Sequence, residues 1–383
     1  MATEWDTLVI GLGAVGAQAL WQLARRGARV LGVDARPLGH DEGSSHGRTR
    51  VYRHAYFEHP DYVPLLRPST AQFRALEEAS GERLLEPCGV LLAGGSDSVL
   101  VRASAEAAQR FGIEAEELDA EQLRARYPQL AVGDATIGLF EPDAGFVRCE
   151  EAIRVALEQA EACGASIVRG ARVVGIDEGA SSVTVTLGTR TERARSVVVA
   201  AGAWTPGLLP SLAPHLRVTR QVQAWLAPSD ACAAEAERLP CWLLDRGAER
   251  ALYGVPIDPL ASDERWAKVA VHGSDVLADP DRVDRRVHAE DLREIEEGVA
   301  RWMPGLAGRV AHASVCRYTM TPDEHFLVDA APGHRRVFFA AGLSGHGFKL
   351  SPALGVSLAE LALTGASSLP IEFLGLSRLE HPA

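Results

Sequence analysis

The pattern of apolar and polar positions predicts a complete βαβ unit at the start of the chain. Residues 6–34 read as an apolar strand, a glycine turn, an Ala/Leu-rich helix, a second strand and a closing acid. Short continuous apolar runs indicate buried strands, whereas apolar residues three and four apart indicate a helix. The unit is typical of α/β proteins with a parallel sheet covered by helices.

The rest of the chain predicts further helices and strands in mixed order. Asp119 and Gln122 have the spacing of a helix N-cap with a reciprocal partner. Residues 335–363 predict a buried strand, a Gly-rich loop and a helix whose N-terminus faces a bound nucleotide. Predicted helices cover residues 67–80, 99–111, 150–163 and 288–302, and strand-like runs cover 166–177, 182–188 and 194–200. Residues 217–228 and 250–277 are strand-rich, with an acidic loop between Pro256 and Trp266.

Segments from the beginning, middle and end of the chain share one nucleotide-binding character, which predicts interleaved domains. The predicted fold class is α/β, with a Rossmann-like domain interleaved with an α+β substrate domain built on a mixed or antiparallel sheet. The Rossmann-like domain takes residues 1–84, 147–218 and 324–383, and the substrate domain takes residues 85–146 and 219–323.

The glycine turn has the spacing of a dinucleotide-binding motif. Gly11, Gly13 and Gly16 fit G-x-G-x-x-G, which permits a tight turn, close approach of a pyrophosphate and close helix packing. Asp34 ends the second strand, where a carboxylate can accept hydrogen bonds from ribose hydroxyls. This unit alone does not distinguish NAD from FAD.

Composition argues against several classes of protein. A formal charge of −12 disfavours a nucleic-acid partner, which requires a basic face. The chain shows no signal-peptide pattern, and no stretch approaches the roughly 20 apolar residues of a membrane span. Scattered free thiols suit a reducing cytosol, so we expect a cytoplasmic protein without a metal site or structural disulfide. The cysteines are Cys88, Cys149, Cys163, Cys232, Cys241 and Cys316.

Lysine is unusually rare. Lys268 and Lys349 are the two lysines among 39 Lys and Arg residues. The pKa of an ammonium group moves readily on burial, whereas a guanidinium stays charged. Both positions are therefore candidates for a role that arginine does not fill.

Four segments together resemble the monomeric sarcosine oxidase family, which includes N-methyltryptophan oxidase and belongs to the wider group built like D-amino acid oxidase. They are "GLGAVG", "GSSHGRTRVYRHAY", "SVCRYTMTPDEHFLVD" and "AAGLSGHGFKLSPALG", in the same order from end to end. In that family the cysteine of the C-x-Y-T segment carries FAD through a thioether to the 8α-methyl group. The resemblance therefore implies FAD covalently attached at Cys316, with the protein tuning chemistry that belongs to the flavin.

The resemblance also implies a set of cofactor-binding residues. Arg50 and His46 match positions beside the flavin, where positive charge favours its reduced, anionic form. The backbone of Val173 matches a position that meets the adenine. The implied set is Gly11, Gly13, Ala14, Val15, Gly16, Asp34, Ser45, His46, Thr49, Arg50, Val173, Ala201, Gly202, Trp204, Cys316, Gly345, His346, Gly347, Phe348 and Lys349.

For the substrate, the resemblance implies a carboxylate bound by Arg53 and Lys349. Two cations suit this task because an unpaired buried charge is strongly unfavourable. His272 matches the residue that orients the amine by hydrogen bonding, without acting as an obligate base. Tyr253 and Tyr318 match residues that line the substrate side of the pocket.

Lys268 matches the family lysine that activates oxygen, since a positive charge near flavin N5 stabilises superoxide. His272 follows four residues later, and even spacing in a strand puts both side chains on one face. Residues that serve opposite faces of a flavin would then have to reach around its edge.

The implied reaction oxidises the C–N bond of a secondary amino acid, and O2 reoxidises FAD to give hydrogen peroxide. Sarcosine is the expected substrate, with glycine and formaldehyde as products, and we expect a monomer. N-methyltryptophan, pipecolate, proline or another cyclic or bulkier secondary amino acid is the alternative. Two other functional classes are alternatives to an oxidase. One is a dehydrogenase that passes electrons to a protein or quinone, and the other is a non-catalytic NAD-binding protein.

Two segments depart from the family pattern near the expected entrance. Phe57 and His59–Pro60 stand where relatives tend to have a glycine-containing lid, and residues 254–267 are longer and more acidic. Proline restricts φ and the loss of glycine narrows backbone freedom. We predict a stiffer or differently shaped entrance.

Overall fold

The computed structural model describes residues 4–229, 236–262, 264–306 and 308–380. Within these ranges the chain forms two large sheets, a small sheet and helices packed against them. Cys232 lies outside the described residues. None of the helices in the described ranges combines the length and apolar character that a bilayer crossing requires.

The strands and helices are numbered in chain order. The strands are β1 (Glu4–Ile10), β2 (Val30–Val33), β3 (Thr49–Tyr52), β4 (Leu85–Glu86), β5 (Val90–Gly95), β6 (Glu116–Leu118), β7 (Thr136–Glu141), β8 (Gly145–Arg148), β9 (Ser166–Val168), β10 (Val173–Glu178), β11 (Val183–Leu187), β12 (Arg190–Val199), β13 (Arg217–Pro228), β14 (Cys241–Arg246), β15 (Glu249–Val255), β16 (Ala267–Val271), β17 (Gly308–Met320), β18 (Leu327–Ala330) and β19 (Val337–Ala341). The α-helices are α1 (Ala14–Ala24), α2 (Val63–Ser80), α3 (Val99–Phe111), α4 (Ala120–Arg126), α5 (Cys149–Ala162), α6 (Thr205–Leu208), α7 (Ala289–Trp302), α8 (Ser351–Thr364) and α9 (Ser377–Glu380). Short 3-10 helices cover Pro60–Tyr62, Gly202–Trp204, Pro210–His215, Pro304–Leu306, Phe348–Leu350 and Glu372–Leu374.

The first large sheet contains the predicted βαβ unit. Its strands follow the order β10-β11-β12-β1-β2-β9, and β19 pairs with β12 and with β18. The strands β12, β1, β2 and β9 are parallel neighbours, as are β12 and β19. Their carboxyl ends therefore meet along one edge of the sheet, where ligands bind in open α/β sheets.

The first helix is mostly apolar and is buried on every side. Every residue of α1 is buried, and the helix contacts α5, α8 and the sheet. Leu20 and Leu23 are completely inaccessible. Burial of such a side chain contributes about 1.5–3 kcal/mol relative to exposure, so this helix fixes the βαβ turn against the rest of the domain.

The second large sheet is mostly antiparallel. Its order is β17-β13-β16-β15-β14-β5-β7-β6, in which β14 and β5 are parallel and the other neighbours are antiparallel. The long antiparallel pairing of β13 with β17 places the segment that contains Cys316 beside a strand from the middle of the chain.

The small sheet has the order β3-β8-β4 and is linked by an ion pair to the segment between β15 and β16. Arg148, at the end of β8, is 5% exposed and contacts Glu86 at 2.8 Å and Asp258 at 2.6 Å. Because Asp258 lies in the segment between β15 and β16, this buried ion-pair network ties that loop to the small sheet.

Several predicted elements are confirmed and one is wrong. The helix over 99–111 and the strand over 217–228 have their predicted bounds, and Asp119 and Gln122 form the predicted capping box. The run predicted over 166–177 is two strands, because β9 pairs in parallel with β2 whereas β10 pairs in antiparallel with β11. The helix predicted over 67–80 begins earlier, at Val63.

The division into two domains stays a proposal. The two large sheets support it, because β1, β2, β9–β12, β18 and β19 form one sheet while β5–β7 and β13–β17 form the other. Each sheet also has its own apolar cluster, typified by Leu20 and Val198 in the first and by Trp242 and Val269 in the second.

Candidate active site

A cavity of about 820 Å³ lies where the two large sheets meet. Its wall includes residues at the carboxyl ends of β1, β2, β12 and β19, together with residues of β15 and β17. Binding pockets typically have volumes of about 300–1,000 Å³. The cavity is therefore the candidate ligand site.

Most predicted cofactor residues line this cavity, and a few lie behind its wall. Gly16, His46, Thr49 and Cys316 do not line it. Those on the wall are Gly11, Gly13, Ala14, Val15, Asp34, Ser45, Arg50, Val173, Ala201, Gly202, Trp204, Gly345, His346, Gly347, Phe348 and Lys349.

The glycine turn has the close contacts that its motif predicts. Gly11 has a φ of +86°, in the region that favours glycine, and a Cβ there would lie 2.5 Å from the Ala200 carbonyl oxygen. A Cβ on Gly16 would lie 1.7 Å from the Gly11 carbonyl oxygen. Side chains at these positions would therefore disrupt the turn and the packing of α1.

Asp34 organises the same turn. One carboxylate oxygen accepts from Leu12 N–H at 2.7 Å and the other accepts from Arg36 N–H at 2.9 Å. The hydroxyl of Ser45 accepts from Ala14 N–H at 3.2 Å, near the start of α1. Because Asp34 also lines the cavity, its remaining lone pairs can accept from a bound ribose.

The far end of the cavity combines an aromatic side chain with arginines. The Arg36 guanidinium carbon lies 4.3 Å from the centroid of the Trp204 ring, and the Trp204 indole donates to Asp281 at 2.9 Å. Val173, the first residue of β10, is 6% exposed and lines the cavity beside Arg172. A flat heterocycle can stack in such surroundings.

Three buried polar atoms of cavity-lining residues have no hydrogen-bond partner among the described residues. They are Thr319 Oγ1, Arg317 Nε and Glu150 Oε2. Buried polar groups are generally paired. These atoms, together with the turn at Gly11, where a side chain has no room, fit a polar dinucleotide.

Arg50 lies on the cavity wall and is held by backbone carbonyls. Its guanidinium donates to the carbonyl oxygens of Thr49 at 2.9 Å, Ser44 at 3.0 Å and His46 at 2.7 Å. Cys316 Sγ lies 3.9 Å from Arg50 Nη2 and 3.8 Å from the Ser44 carbonyl oxygen. The predicted attachment cysteine is thus one contact away from the cavity wall.

The structure corrects the charge expected on His46. Burial, followed by the positive charges of Arg50 and Lys268, lowers its pKa to about 3. The ring is therefore neutral near pH 7, because a buried imidazolium between two cations is unfavourable. The positive charge in this part of the site comes from Arg50.

Lys268 is buried under the segment that carries His46. Its ammonium group donates to the carbonyl oxygens of Gly47 at 3.0 Å and Thr49 at 2.9 Å, and lies 5.5 Å from the centroid of the Trp225 ring. Burial, and then the charge of Arg50, lower its pKa to about 7.

Lys268 and His272 have different environments although they are separated by an even number of residues. Lys268 pairs with Val255, and His272 N–H donates to the Ala251 carbonyl oxygen beyond the end of the strand. Four residues of strand span roughly 13 Å. The segment around Gly47 covers the lysine, whereas the histidine lines the cavity.

Arg53 and Lys349 come together from distant parts of the chain. The Arg53 guanidinium carbon lies 4.5 Å from the Tyr56 ring centroid, and Lys349 Nζ lies 4.9 Å from it. Arg53 binds Glu58 at 2.6 Å. Although burial opposes ionisation, Arg53 lowers the pKa of Glu58 to about 2. The predicted carboxylate site thus already contains a carboxylate.

A directed chain of hydrogen bonds orients Lys349. His346 Nε2 lies 3.0 Å from the Glu324 carbonyl oxygen, which only accepts, so Nε2 carries the proton. His346 Nδ1 then accepts from the Tyr56 hydroxyl at 2.5 Å, and that hydroxyl accepts from Lys349 at 3.4 Å. Burial lowers the pKa of His346 to about 3 and that of Lys349 to about 7.

The remaining predicted pocket residues form an aromatic group. The ring centroids of His272 and Tyr318 are 5.7 Å apart, and those of His272 and Tyr253 are 6.3 Å apart. Burial lowers the pKa of His272 and raises the pKa values of both tyrosines. All three side chains therefore face the cavity as neutral hydrogen-bonding groups.

Sequence reasoning missed Glu58, Tyr56 and Thr319. Glu58 is one acid in a polar entrance segment, and Tyr56 and Thr319 look like ordinary core or strand residues. Tyr56 and Glu58 stand three and five residues after Arg53 in an irregular segment, where spacing predicts no contact, and the cavity position of Thr319 comes from the tertiary fold.

Comparisons with known proteins agree with this geometry. The family described as "FAD dependent oxidoreductase" (DAO) matches residues 6–361. Monomeric sarcosine oxidase of Streptomyces avermitilis is 34% identical over 381 residues, which cover 99% of each chain. N-methyl-L-tryptophan oxidase of Salmonella dublin is 34% identical over 380 residues, which cover 99% of this chain and 100% of that protein.

Among solved structures, the open form of NikD, "an unusual amino acid oxidase essential for nikkomycin biosynthesis", has a TM-score of 0.84 with 22% identity and covers 97% of this chain and 98% of its own. The predicted fold class and the resemblance found in the four segments are thereby confirmed. The chain belongs to the FAD dependent oxidoreductase family, in the group of monomeric sarcosine oxidase and N-methyl-L-tryptophan oxidase.

Proposed function

We propose that the protein is an FAD-dependent oxidase of secondary amino acids, with sarcosine as substrate and O2 as electron acceptor. The observation that carries this proposal is the convergence of two buried cations, Arg53 and Lys349, on a cavity wall that also holds His272 and Tyr318. Such a site suits a small amine with a carboxylate. The names of the full-length relatives support the proposal of an amino acid oxidase.

Bound FAD would accept two electrons from the C–N bond of the amine and pass them to O2, giving hydrogen peroxide. The glycine turn, Asp34 and Ser45 would hold its dinucleotide part. Arg50, Cys316 and residues 345–349 would surround its ring system, and the unpaired Thr319 and Arg317 atoms would gain partners.

The substrate carboxylate would exchange with Glu58 at Arg53. One Arg–carboxylate contact replaces another, and the displaced Glu58, whose side chain is 16% exposed, would have to turn toward water, because an unpaired buried carboxylate is strongly unfavourable. Because an adjacent anion favours the charged form of an amine, substrate binding would also raise the pKa of Lys349 from about 7. The two cations would then fix the position of the reacting C–N bond.

His272 would orient the substrate amine as a neutral hydrogen-bonding group. Its lowered pKa keeps the ring uncharged near pH 7, which avoids repulsion of a cationic amine. Tyr253 and Tyr318 would exclude water from the same region. Cytoplasmic location and the monomeric state stay predictions.

A bulkier secondary amino acid is the second candidate, because an N-methyl-L-tryptophan oxidase is as similar as a monomeric sarcosine oxidase, at 34% identity. Phe57 lines the cavity next to Glu58, and Pro60–Tyr62 forms a 3-10 helix at the entrance. These features support the predicted difference in entrance shape without selecting one substrate.

Peroxide release from purified protein tests the function directly. Sarcosine, N-methyltryptophan, pipecolate and proline are supplied in turn, and kcat/KM is measured by a coupled peroxidase assay. We expect the highest kcat/KM for sarcosine; because the two cations serve the carboxylate that all four substrates share, the ranking reports how the rest of each substrate fits the cavity. A higher value for N-methyltryptophan supports the second candidate, and no peroxide with any secondary amino acid contradicts the proposal.

Arg53→Ala and Lys349→Met test the carboxylate site. A charge-assisted hydrogen bond contributes roughly 1.5–3 kcal/mol, so KM for the preferred substrate should rise roughly 10- to 150-fold in each variant. Arg195→Ala is the control, because Arg195 is an exposed arginine paired with Asp6. An unchanged KM in either cavity variant rules out that residue's assignment.

Lys268 should make flavin reoxidation depend on pH. Its pKa of about 7 means that the charged form, which stabilises superoxide, is lost as pH rises through about 7. We expect the rate of reoxidation by O2, measured by stopped flow, to fall over that range. Lys268→Met should slow reoxidation on the order of 100-fold and leave anaerobic reduction nearly intact.

Lys268→Arg is the matched variant for this test, because a guanidinium stays charged throughout the range. Its reoxidation rate should not depend on pH. Equal losses in reduction and reoxidation in Lys268→Met would contradict the oxygen assignment.

Cys316→Ala tests the covalent link. We expect acid-precipitated wild-type protein to stay yellow, with an intact mass raised by one FAD, because the thioether survives denaturation. The Cys316→Ala protein should release its flavin into the supernatant, whereas Cys163→Ala, which changes an exposed cysteine, should keep it. Colourless wild-type protein at the mass of the bare chain excludes the link.

A further inference from the structure

Two cysteine thiols from distant parts of the chain are neighbours in the second large sheet. Cys88 Sγ and Cys241 Sγ are 3.8 Å apart, although 153 residues separate them in sequence. Neither residue belongs to the candidate active site, and both are free thiols.

Backbone hydrogen bonds of the sheet hold this cysteine pair together. Cys241 is the first residue of β14, and its N–H donates to the Gly89 carbonyl oxygen at 3.0 Å. The parallel register of β14 with β5 then places Cys241 beside Val90, two residues after Cys88. The closeness of the two thiols therefore follows from strand pairing.

The surroundings of the pair are apolar. Cys241 is completely inaccessible and Cys88 is half-buried, and both belong to a cluster with Phe146 and Val255. The described residues contain no group of three or more His, Cys, Asp or Glu side chains that could hold a metal ion. Thiol oxidation is the chemistry that suits this pair.

The two thiols differ in exposure and in the direction of their pKa shifts. The hydrogen bond from Cys241 lowers the pKa of Cys88, whereas burial raises the pKa of Cys241 well above its usual value. Since the thiolate is the nucleophile, Cys88 is the sulfur that reacts first with an oxidant. Cys241 is then placed to attack the oxidised sulfur.

We propose that Cys88 and Cys241 form a reversible disulfide when hydrogen peroxide oxidises the protein. The Cys88 thiolate attacks one peroxide oxygen, the O–O bond breaks, and Cys88 becomes a sulfenic acid as hydroxide leaves. The Cys241 thiol attacks that sulfur, and the S–S bond forms as the S–O bond breaks and water leaves. Overall, two thiols lose two electrons and two protons, and one peroxide becomes two waters.

Closure requires a modest movement. A disulfide has an S–S length of about 2.05 Å, so the sulfurs must approach by roughly 1.8 Å from their separation of 3.8 Å. Rotation about the Cα–Cβ bonds moves a sulfur by this amount. The apolar cluster has room at Cys88, whose side chain is partly open to solvent.

The local source of the oxidant rests on the proposed function. An oxidase releases peroxide from its cavity, and Phe57, Leu243 and Ala251 belong both to the cavity wall and to the cluster around the cysteine pair. Leu243 follows Cys241 by two residues on β14, so both side chains are on one face of the strand.

The disulfide would link β14 to the segment before β5 and close a loop of 153 residues. Cross-links that close long loops restrict the unfolded chain. The oxidised protein should therefore have a higher melting temperature than the reduced protein, and dithiothreitol should reverse the change.

The test uses purified full-length protein and added hydrogen peroxide, so failure of the oxidase proposal does not affect it. Free thiols are alkylated in denaturant after treatment, and peptides are mapped by mass spectrometry. We expect one cross-linked pair that joins the peptides of Cys88 and Cys241 and is two hydrogens lighter than the separate peptides. Dithiothreitol should restore two alkylated thiols.

Three variants make the test specific. Cys241→Ser should leave Cys88 as a sulfenic acid that dimedone traps, and Cys88→Ser should leave Cys241 alkylatable. Cys163→Ser, the exposed control, should still form the cross-link. The proposal is overturned if Cys88 and Cys241 stay fully alkylatable at peroxide concentrations that oxidise Cys163, or if Cys88 cross-links elsewhere. The wild-type peptide map decides the question even if a serine variant does not fold.

Discussion

Buried positive charge held by backbone carbonyl groups is the constraint on which the site depends. Lys268 donates to two carbonyl oxygens, Lys349 donates to one, and Arg50 donates to three. Carbonyl dipoles satisfy the hydrogen bonds of a cation without neutralising it. The cavity therefore keeps an excess of positive charge for anionic groups of a cofactor or substrate, even though the whole chain carries a formal charge of −12.

These buried cations also shift one another's pKa values, so the lysines, His46 and Arg53 have different charge states. The lysines have pKa values near 7 because burial and a nearby arginine both disfavour the ammonium form. His46 stays neutral for the same reason. Arg53 differs, since its partner is the carboxylate of Glu58, so an incoming anion must compete there for a guanidinium that is already paired. A lysine can respond to such an anion by taking up a proton, and an arginine cannot.

Local pattern predicts much of the fold and fails where a strand's partner matters. The helix over 99–111 and the strand over 217–228 have their predicted bounds because their periodicity and end signals are local. The run over 166–177 looks continuous, yet its first part pairs with β2 and its last part pairs with β11. Periodicity reports which residues are apolar. It does not report which neighbour supplies the hydrogen bonds.

By itself the sequence determined the nucleotide-binding turn, since Gly11, Gly16 and Asp34 act on backbone within one βαβ unit. It also marked the two lysines, because the scarcity of lysine is visible in composition. Only the tertiary structure decided the protonation of Lys268 and the pairing of Arg53. The protonation of Lys268 depends on burial and on the charge of Arg50, which comes from a distant part of the chain. Arg53 and Glu58 are five residues apart, but the segment between them is irregular and its path is fixed by the surrounding fold, so no local pattern predicts their contact.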